Sequence, residues 1–267
     1  MTSKGHDDRV TEEPRSDDTR ETDDTGAEDD VRERITRLER LVTRDVRAAI
    51  PAWRRHTVGE QRWPFAVAIV VMIGFQAFLP ERLSAGPWWA LPALEVVIIV
   101  VLMLANPGRM ERSSPGLRRL GLALITVASL GNGWSVVWLV LDIVTGRDIG
   151  TAAQLLASGG NVWLINTLTF AVWYWEFDRG GPLERALGSH PNPDFLFPQM
   201  SSPDMAPKEW EPQFIDYLYL AFTNSMAFSP TDTLPLSRWA KAAMLLQSAI
   251  SLVTAALVVA KAVNALQ

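Results

Sequence analysis

Gln213-Phe214-Ile215-Asp216-Tyr217-Leu218-Tyr219-Leu220-Ala221-Phe222-Thr223-Asn224-Ser225-Met226-Ala227-Phe228-Ser229-Pro230-Thr231-Asp232-Thr233-Leu234-Pro235 is the stretch on which the architecture turns. Its apolar part, Phe214 to Phe228, is fifteen residues long. At 1.5 Å of rise per residue that is about 22 Å, too short for a hydrocarbon layer of roughly 30 Å. A half-helix that enters a membrane and turns back is the natural reading. Thr223, Asn224, Ser225, Ser229, Thr231 and Asp232 mark its end. Irregular polar backbone at membrane depth is tolerated only inside protein or beside water. Thr223, Asn224, Ser225, Ser229 and Asp232 are therefore the candidates to line an ion path.

Towards the C-terminus, Ala242 to Ala260 carries no charge and reads as the last membrane span. Gln247, Ser251 and Thr254 fall at i, i+4 and i+7, which puts them on one helix face. Such a stripe either extends the water-filled path or forms a close helix–helix seam. The seam is the commoner use of small and polar residues in membrane bundles.

Towards the N-terminus, four more apolar runs precede the quoted stretch: Trp63–Pro80, Pro87–Asn106, Leu120–Leu141 and Gly150–Trp175. Trp63, Trp88, Trp89, Trp173, Tyr174, Trp175 and Trp239 cluster at their ends, where interfacial aromatic belts lie. The predicted fold class is an all-α membrane protein. It has about five transmembrane helices, a re-entrant pore-like half-helix and a disordered acidic N-terminal arm. The divisions are a tail over 1–30, a basic juxtamembrane helix over 31–62, four spans over 63–176, a loop over 177–213 and the half-helix, turn and last span over 214–267.

Residues 1–30 hold twelve acidic residues and few large apolar ones, so they bury too little surface to offset chain entropy. Val31, Ile35, Leu38, Val42 and Val46 then recur at helical spacing, with Arg34, Arg37, Arg40, Arg44 and Arg47 on other faces. That pattern suits a helix lying on an anionic leaflet, or a short coiled coil; the interfacial helix is preferred. Pro51 ends or kinks it.

Arg54, Arg55 and Arg62 before the first span, and Arg109, Arg112, Arg118 and Arg119 between the second and third, predict a cytoplasmic N-terminus. The 177–213 loop then falls on the same side. It is rich in Pro and Gly, and longer than a connection needs to be, which makes it a functional or lid candidate. Phe195, Leu196, Phe197 and Met200 give it an apolar patch to dock on the membrane or the bundle.

Glu95 is an acid about 12 Å into its span, which makes it an ion- or proton-site candidate against a neutral, hydrogen-bonded alternative. Asn132, Asn161, Asn166 and Thr169 read as a buried polar network. Asp142, Glu176 and Asp178 lie at span ends and read as solvated. The chain has no cysteine and three histidines, none paired at ligand spacing, so no metal site or cofactor is implied. No glycine-rich phosphate loop, nucleophile elbow or His-Glu-x-x-His occurs, and an enzyme is not expected. Nucleic acid is not an expected partner either, because the basic stretch abuts a membrane.

Tyr217-Leu218-Tyr219-Leu220-Ala221-Phe222-Thr223 resembles the pore helix of two-helix potassium channels. Thr231-Asp232-Thr233-Leu234-Pro235 resembles the Gly-Asp-x-x-Pro exit of their filter. The likeness covers about residues 160–263. The glycine-tyrosine-glycine filter is absent, with Met226-Ala227-Phe228-Ser229-Pro230 in its place, so potassium selectivity does not carry over. The channel module also places the loop before its pore helix outside, against the arginine count. Across the whole chain, the Phe-Thr…Ser-x-x-Asp turn followed by one long helix resembles an uncharacterised bacterial domain-of-unknown-function integral membrane family. That likeness implies a fold and no activity.

The expectation is a channel-like or transport-related protein of a bacterial inner or plasma membrane. Its partners would be the lipid bilayer, monovalent ions and further copies of itself. The alternative is a non-conducting scaffold or sensor acting through its N-terminal arm and the 177–213 loop.

Overall fold

The structure is a computed structural model that describes residues 32–37, 51–61, 63–105, 115–147, 150–227 and 232–264. The acidic tail, most of the basic amphipathic stretch, Arg109, Arg112, Ser229 and Thr231 lie outside the described residues. Residues 32–37 form a short helix, α1, exposed on all sides and belonging to a unit that ends at Ile50. Everything below concerns the second unit, Pro51–Gln267.

Its main helices are α2 (Trp63–Ala77), α3 (Ala90–Ala105), α4 (Pro115–Val144) and α5 (Ala152–Phe177). The short α6 (Pro182–Leu187) and α7 (Pro198–Ser201) lie in the loop, followed by α8 (Phe214–Ala227) and α9 (Arg238–Asn264). The all-α expectation needs one small correction. Phe195–Leu196 (β1) and Leu234–Pro235 (β2) pair antiparallel, Phe195 opposite Pro235.

Proline sits where its missing N–H costs nothing. Pro64, Pro92 and Pro115 lie in the first turns of α2, α3 and α4, and Pro182 opens α6. α5 begins with a capping box. Thr151 Oγ1 accepts from Gln154 N at 3.2 Å, while Gln154 Oε1 accepts from Thr151 N at 2.9 Å. α6 stops at Gly188, whose left-handed φ of 67° glycine adopts at no steric cost.

Three helices are long and apolar enough to cross a membrane: Gly116–Val144, Ala152–Leu187 and Arg238–Asn264. Trp63–Ala77 and Ala90–Ala105 are equally apolar but shorter, at 15 and 16 residues. Large apolar side chains cover the outside. Val67, Val70, Val97, Val101, Leu130, Val137, Leu245 and Val259 are all exposed. Water would penalise such a surface, and lipid does not. Trp63, Trp88 and Trp89 are exposed as a belt requires. Tyr174 and Trp175 are not; both are buried in the core.

α5 is the central helix. It packs against α2, α4, α8 and α9, and much of it is buried. Its approach to α9 is close because Gly159 faces Val258; a Cβ at Gly159 would sit 2.6 Å from a Val258 methyl. Small residues permit this spacing, and dispersion is what drives helix association in lipid.

The body has two ends. At one lie residues 51–61, the start of α4, the end of α5, the loop and the start of α9. Arg118 at the start of α4 donates to Gly180 O at 3.0 Å, and the Trp239 indole donates to Asp194 Oδ1 at 2.8 Å. At the other lie Leu83 and the end of α4. There Ser135 Oγ donates to Leu83 O at 2.8 Å, and Asp142 is 3.5 Å from both Arg82 and Arg147. Asp142 is thus buried and ion-paired, not solvated.

Candidate functional site

The site is built on α8 and its two neighbours. Phe214, at the start of α8, lies at the C-terminal end of α5, where its ring packs edge-on against Trp175 at 5.9 Å. Three residues on, the Tyr217 hydroxyl donates to Asp178 Oδ2 at 2.6 Å. Two turns further, Ser225 Oγ meets Thr167 Oγ1 at 3.1 Å, well back from Asp178 along α5. α8 therefore runs antiparallel to α5 and reaches only its middle. After α8 the chain returns, because Leu234–Pro235 pairs with Phe195–Leu196 and Leu236 N donates to Asp194 O at 2.8 Å. α9 starts there, with the Trp239 ring 6.0 Å from that of Phe177, and runs back along the full body to Val258 at Gly159.

The polar residues at the far end of α8 converge on Gln247. Its Nε2 donates to Ala221 O and to Ser225 Oγ, both at 2.8 Å. Its Oε1 accepts from Asn224 Nδ2 at 2.8 Å and from the Tyr174 hydroxyl at 2.6 Å. Asn224 Nδ2 also donates to Met244 O at 3.1 Å, and its Oδ1 accepts from Ser248 Oγ at 3.1 Å. One turn further along α9, Ser251 Oγ accepts from Asn166 Nδ2 at 3.2 Å, and Asn166 Oδ1 accepts from Asn132 Nδ2 at 2.9 Å. Gln247, Ser251, Thr254, Asn224 and Ser225 are all buried. Within one chain these hydrogen bonds join α4, α5, α8 and α9. Thr254 Oγ1 has no partner among the described residues.

The remaining candidates separate. Thr223 back-bonds to Tyr219 O at 2.9 Å and lies apart from the Gln247 cluster. Asp232 is exposed, and Ser229 lies outside the described residues. Glu95 is fully buried between α2 and α3, where its Oε1 accepts from Gln76 Nε2 at 3.1 Å. Asn161 lines an open groove of about 790 Å³ at the far end of the body, with Phe78, Arg82, Gln154 and Ser158.

The loop docks on the bundle. Phe195 lies 5.0 Å from Tyr174 and 5.5 Å from Trp239, and Phe197 lies 5.3 Å from Tyr217, ring to ring. Below it sits a charged cluster that the sequence reading missed. Asp178 is buried, not solvated at a span end. Besides Tyr217, its carboxylate accepts from Asp194 N at 2.9 Å, and Asp194 Oδ2 accepts from Arg179 N at 2.8 Å. Arg179 holds a left-handed φ of 51°, rare for a residue with a side chain, and donates to Trp53 O. Arg185 donates to Trp175 O and Asp178 O and lies over the Tyr217 ring at 5.0 Å.

Residues 51–61 are clamped to this cluster. Glu60 accepts from Trp175 Nε1 at 2.6 Å and from Phe214 N, with Arg185 Nη2 4.0 Å away. Burial pushes the Glu60 carboxyl above its ordinary range, although both hydrogen bonds and the Arg185 charge pull the other way. Thr57 N donates to Ala186 O at 2.8 Å. Glu60, Arg179 and Arg185 belong to no motif. The one local signal was Arg179-Gly180-Gly181-Pro182, which forbids α5 from continuing and forces the chain back over its own end.

Among the described residues no group of three His, Cys, Asp or Glu could hold a metal ion. Comparison with family models, with curated proteins and with solved structures finds no match to this chain.

Proposed function

We propose that this chain is a channel-like or transport-related membrane protein whose working module is α5, α8 and α9. One observation carries the reading. α8 starts at the end of α5 beside Asp178, meets Thr167 and Trp163 near the middle of α5, and is followed by a strand that pairs back at Phe195–Leu196. A short apolar helix that enters and leaves at one end supports a re-entrant half-helix. Its polar end, with Thr223 and Asp232, is the candidate conduction site, in an assembly of several copies. α8 presents Ile215, Tyr219, Phe222 and Met226 on its outer face, available to lipid or to another copy.

Residues 51–61, Arg118 and the loop share one end of the body, with Arg54, Arg55, Arg119, Arg238 and Lys241 nearby in sequence. The positive-inside rule favours that end as cytoplasmic, so α8 would enter from the cytoplasm, opposite to the pore helix of potassium channels.

The second reading, a non-conducting scaffold, draws on the seam, since Gln247, Asn224 and Ser225 are satisfied inside one chain. Ion flux into vesicles carrying the purified protein separates the two. The channel-like reading expects cation flux above that of empty vesicles, reduced by Asp232→Asn. Flux equal to empty vesicles under sodium, potassium and proton gradients rejects it.

A further inference from the structure

α2 is shorter than the helix it lies against. Its 15 residues rise about 22 Å, and the 26 residues of α5 rise about 39 Å. The two are level at one end, where Phe65 near the start of α2 stacks on Trp175 near the end of α5 at 4.9 Å. Further along, the Thr169 hydroxyl meets Met72 Sδ at 3.5 Å, so the helices run antiparallel. Nearly all of the shortfall, about 17 Å, therefore falls at the far end, where α2 leaves the first turns of α5 uncovered. The groove of about 790 Å³ lies there. Gln154, Ser158 and Asn161 line it from one face of α5, at i, i+4 and i+7. Phe78, Glu81 and Arg82 line it from the end of α2 and the turn beyond.

This face has donors left over. Ser158 is more than nine-tenths buried, and neither its hydroxyl nor the Asn161 amide has a hydrogen-bond partner among the described residues. Gln154 spends Oε1 on Thr151 N at 2.9 Å, which leaves its Nε2 to donate. The groove also carries charge. Arg82 Nε lies 3.5 Å from Asp142, and Arg147 shares that acid at 3.5 Å, so two guanidiniums face one carboxylate. Glu81 adds an exposed acid beside Arg82. The α5 face belongs to a stretch long and apolar enough to cross a membrane, Ala152–Leu187. Polar side chains in such a stretch turn to polar partners, not to acyl chains. A phosphodiester accepts what an arginine, a hydroxyl and two amides donate, and a primary ammonium donates to a carboxylate. Basic pockets between membrane helices take lipid headgroups.

We propose that this groove seats the headgroup of one phospholipid that carries both a phosphodiester and a primary ammonium, the phosphatidylethanolamine class. The phosphate takes Arg82, Gln154, Ser158 and Asn161, the ammonium takes Glu81, and the acyl chains leave past the exposed Phe78. A choline headgroup offers Glu81 no N–H, and a glycerol headgroup sets a net negative lipid against it. The site needs a bilayer around the body and stands whether or not α8 conducts.

The test is native mass spectrometry of the full chain released from nanodiscs holding equal amounts of phosphatidylethanolamine, phosphatidylcholine and phosphatidylglycerol. The wild type retains one phosphatidylethanolamine per chain in preference to the other two lipids. Ala157→Trp, at an exposed position in the groove wall, fills the groove without removing a charge and lowers that retention to the level of the others. Glu81→Gln lets phosphatidylglycerol compete equally. Equal retention of all three lipids by the wild type overturns the site, as does a preference that survives Ala157→Trp. A preference for phosphatidylglycerol means an anion site without the ammonium contact, and also overturns it. Should the variants fail to fold, phosphatidylethanolamine with a photoreactive acyl chain decides on the wild type. Crosslinks at residues 78–82 or 150–161 support the site, and crosslinks confined to other segments reject it.

Discussion

The Tyr217 hydroxyl donates to Asp178 Oδ2 across 2.6 Å, joining the first turn of α8 to the residue that ends α5. Asp178 is fully buried, so its carboxylate depends on the few donors around it. Tyr217→Phe deletes one of them and fills the same space. A hydrogen bond to a charged group contributes about 1.5–3 kcal/mol. Denaturation in detergent micelles should show a loss in that range, whereas Tyr219→Phe, at an exposed position of the same helix, should show almost none.

Gln247 tests seam against pore. It makes four hydrogen bonds to Tyr174, Ala221, Asn224 and Ser225. Hydrogen bonds between membrane helices average about 0.6 kcal/mol, so Gln247→Leu should cost roughly 2 kcal/mol. The expected readout is a lower unfolding midpoint. Unchanged stability with altered permeability would instead return Gln247 to a water-filled path.

The contrast between the seam and the charged cluster shows what the residues disclosed. Helical spacing placed Gln247, Ser251 and Thr254 on one face, and all three are buried there; the spacing itself left a seam and a water-filled path both open. Of the expected network of Asn132, Asn161, Asn166 and Thr169, Asn132 and Asn166 do pair, whereas Asn161 lines the open groove. Asp178 was misread because periodicity reports which residues share a face and says nothing about what a loop later covers. The cover comes from Phe195 and Phe197 in one segment, and Trp53 and Glu60 in another more than a hundred residues away. Tyr174 and Trp175 were misplaced in a belt by the same blindness. The short α8 was legible because length is a one-dimensional property.

Glu60 gives a dependence on pH. Burial raises its carboxyl above the ordinary 4.5, with Glu211 adding to the rise and Arg185 opposing it. The folded state then binds this proton more tightly than the unfolded state does. Its contribution is therefore favourable below the unfolded value and is lost as pH rises through the folded one. Glu60→Gln lacks this titration. Unfolding midpoints measured upward from pH 4.5 should show the wild type losing stability relative to Glu60→Gln. A wild type that gains stability over that window would contradict the burial argument.

The central claim is that the chain enters and leaves at the same end around α8, and accessibility labelling tests it most directly. The chain has no cysteine, so each introduced thiol is alone. Cysteines at Val58, Ser202 and Leu236 lie in exposed positions at one end of the body, and Gly146 and Asn264 in exposed positions at the other. In sealed vesicles, an impermeant thiol reagent should label the first three from one side and the last two from the opposite side. Labelling of Ser202 and Leu236 from opposite sides would mean that α8 and its turn cross the membrane, and the half-helix account would be wrong.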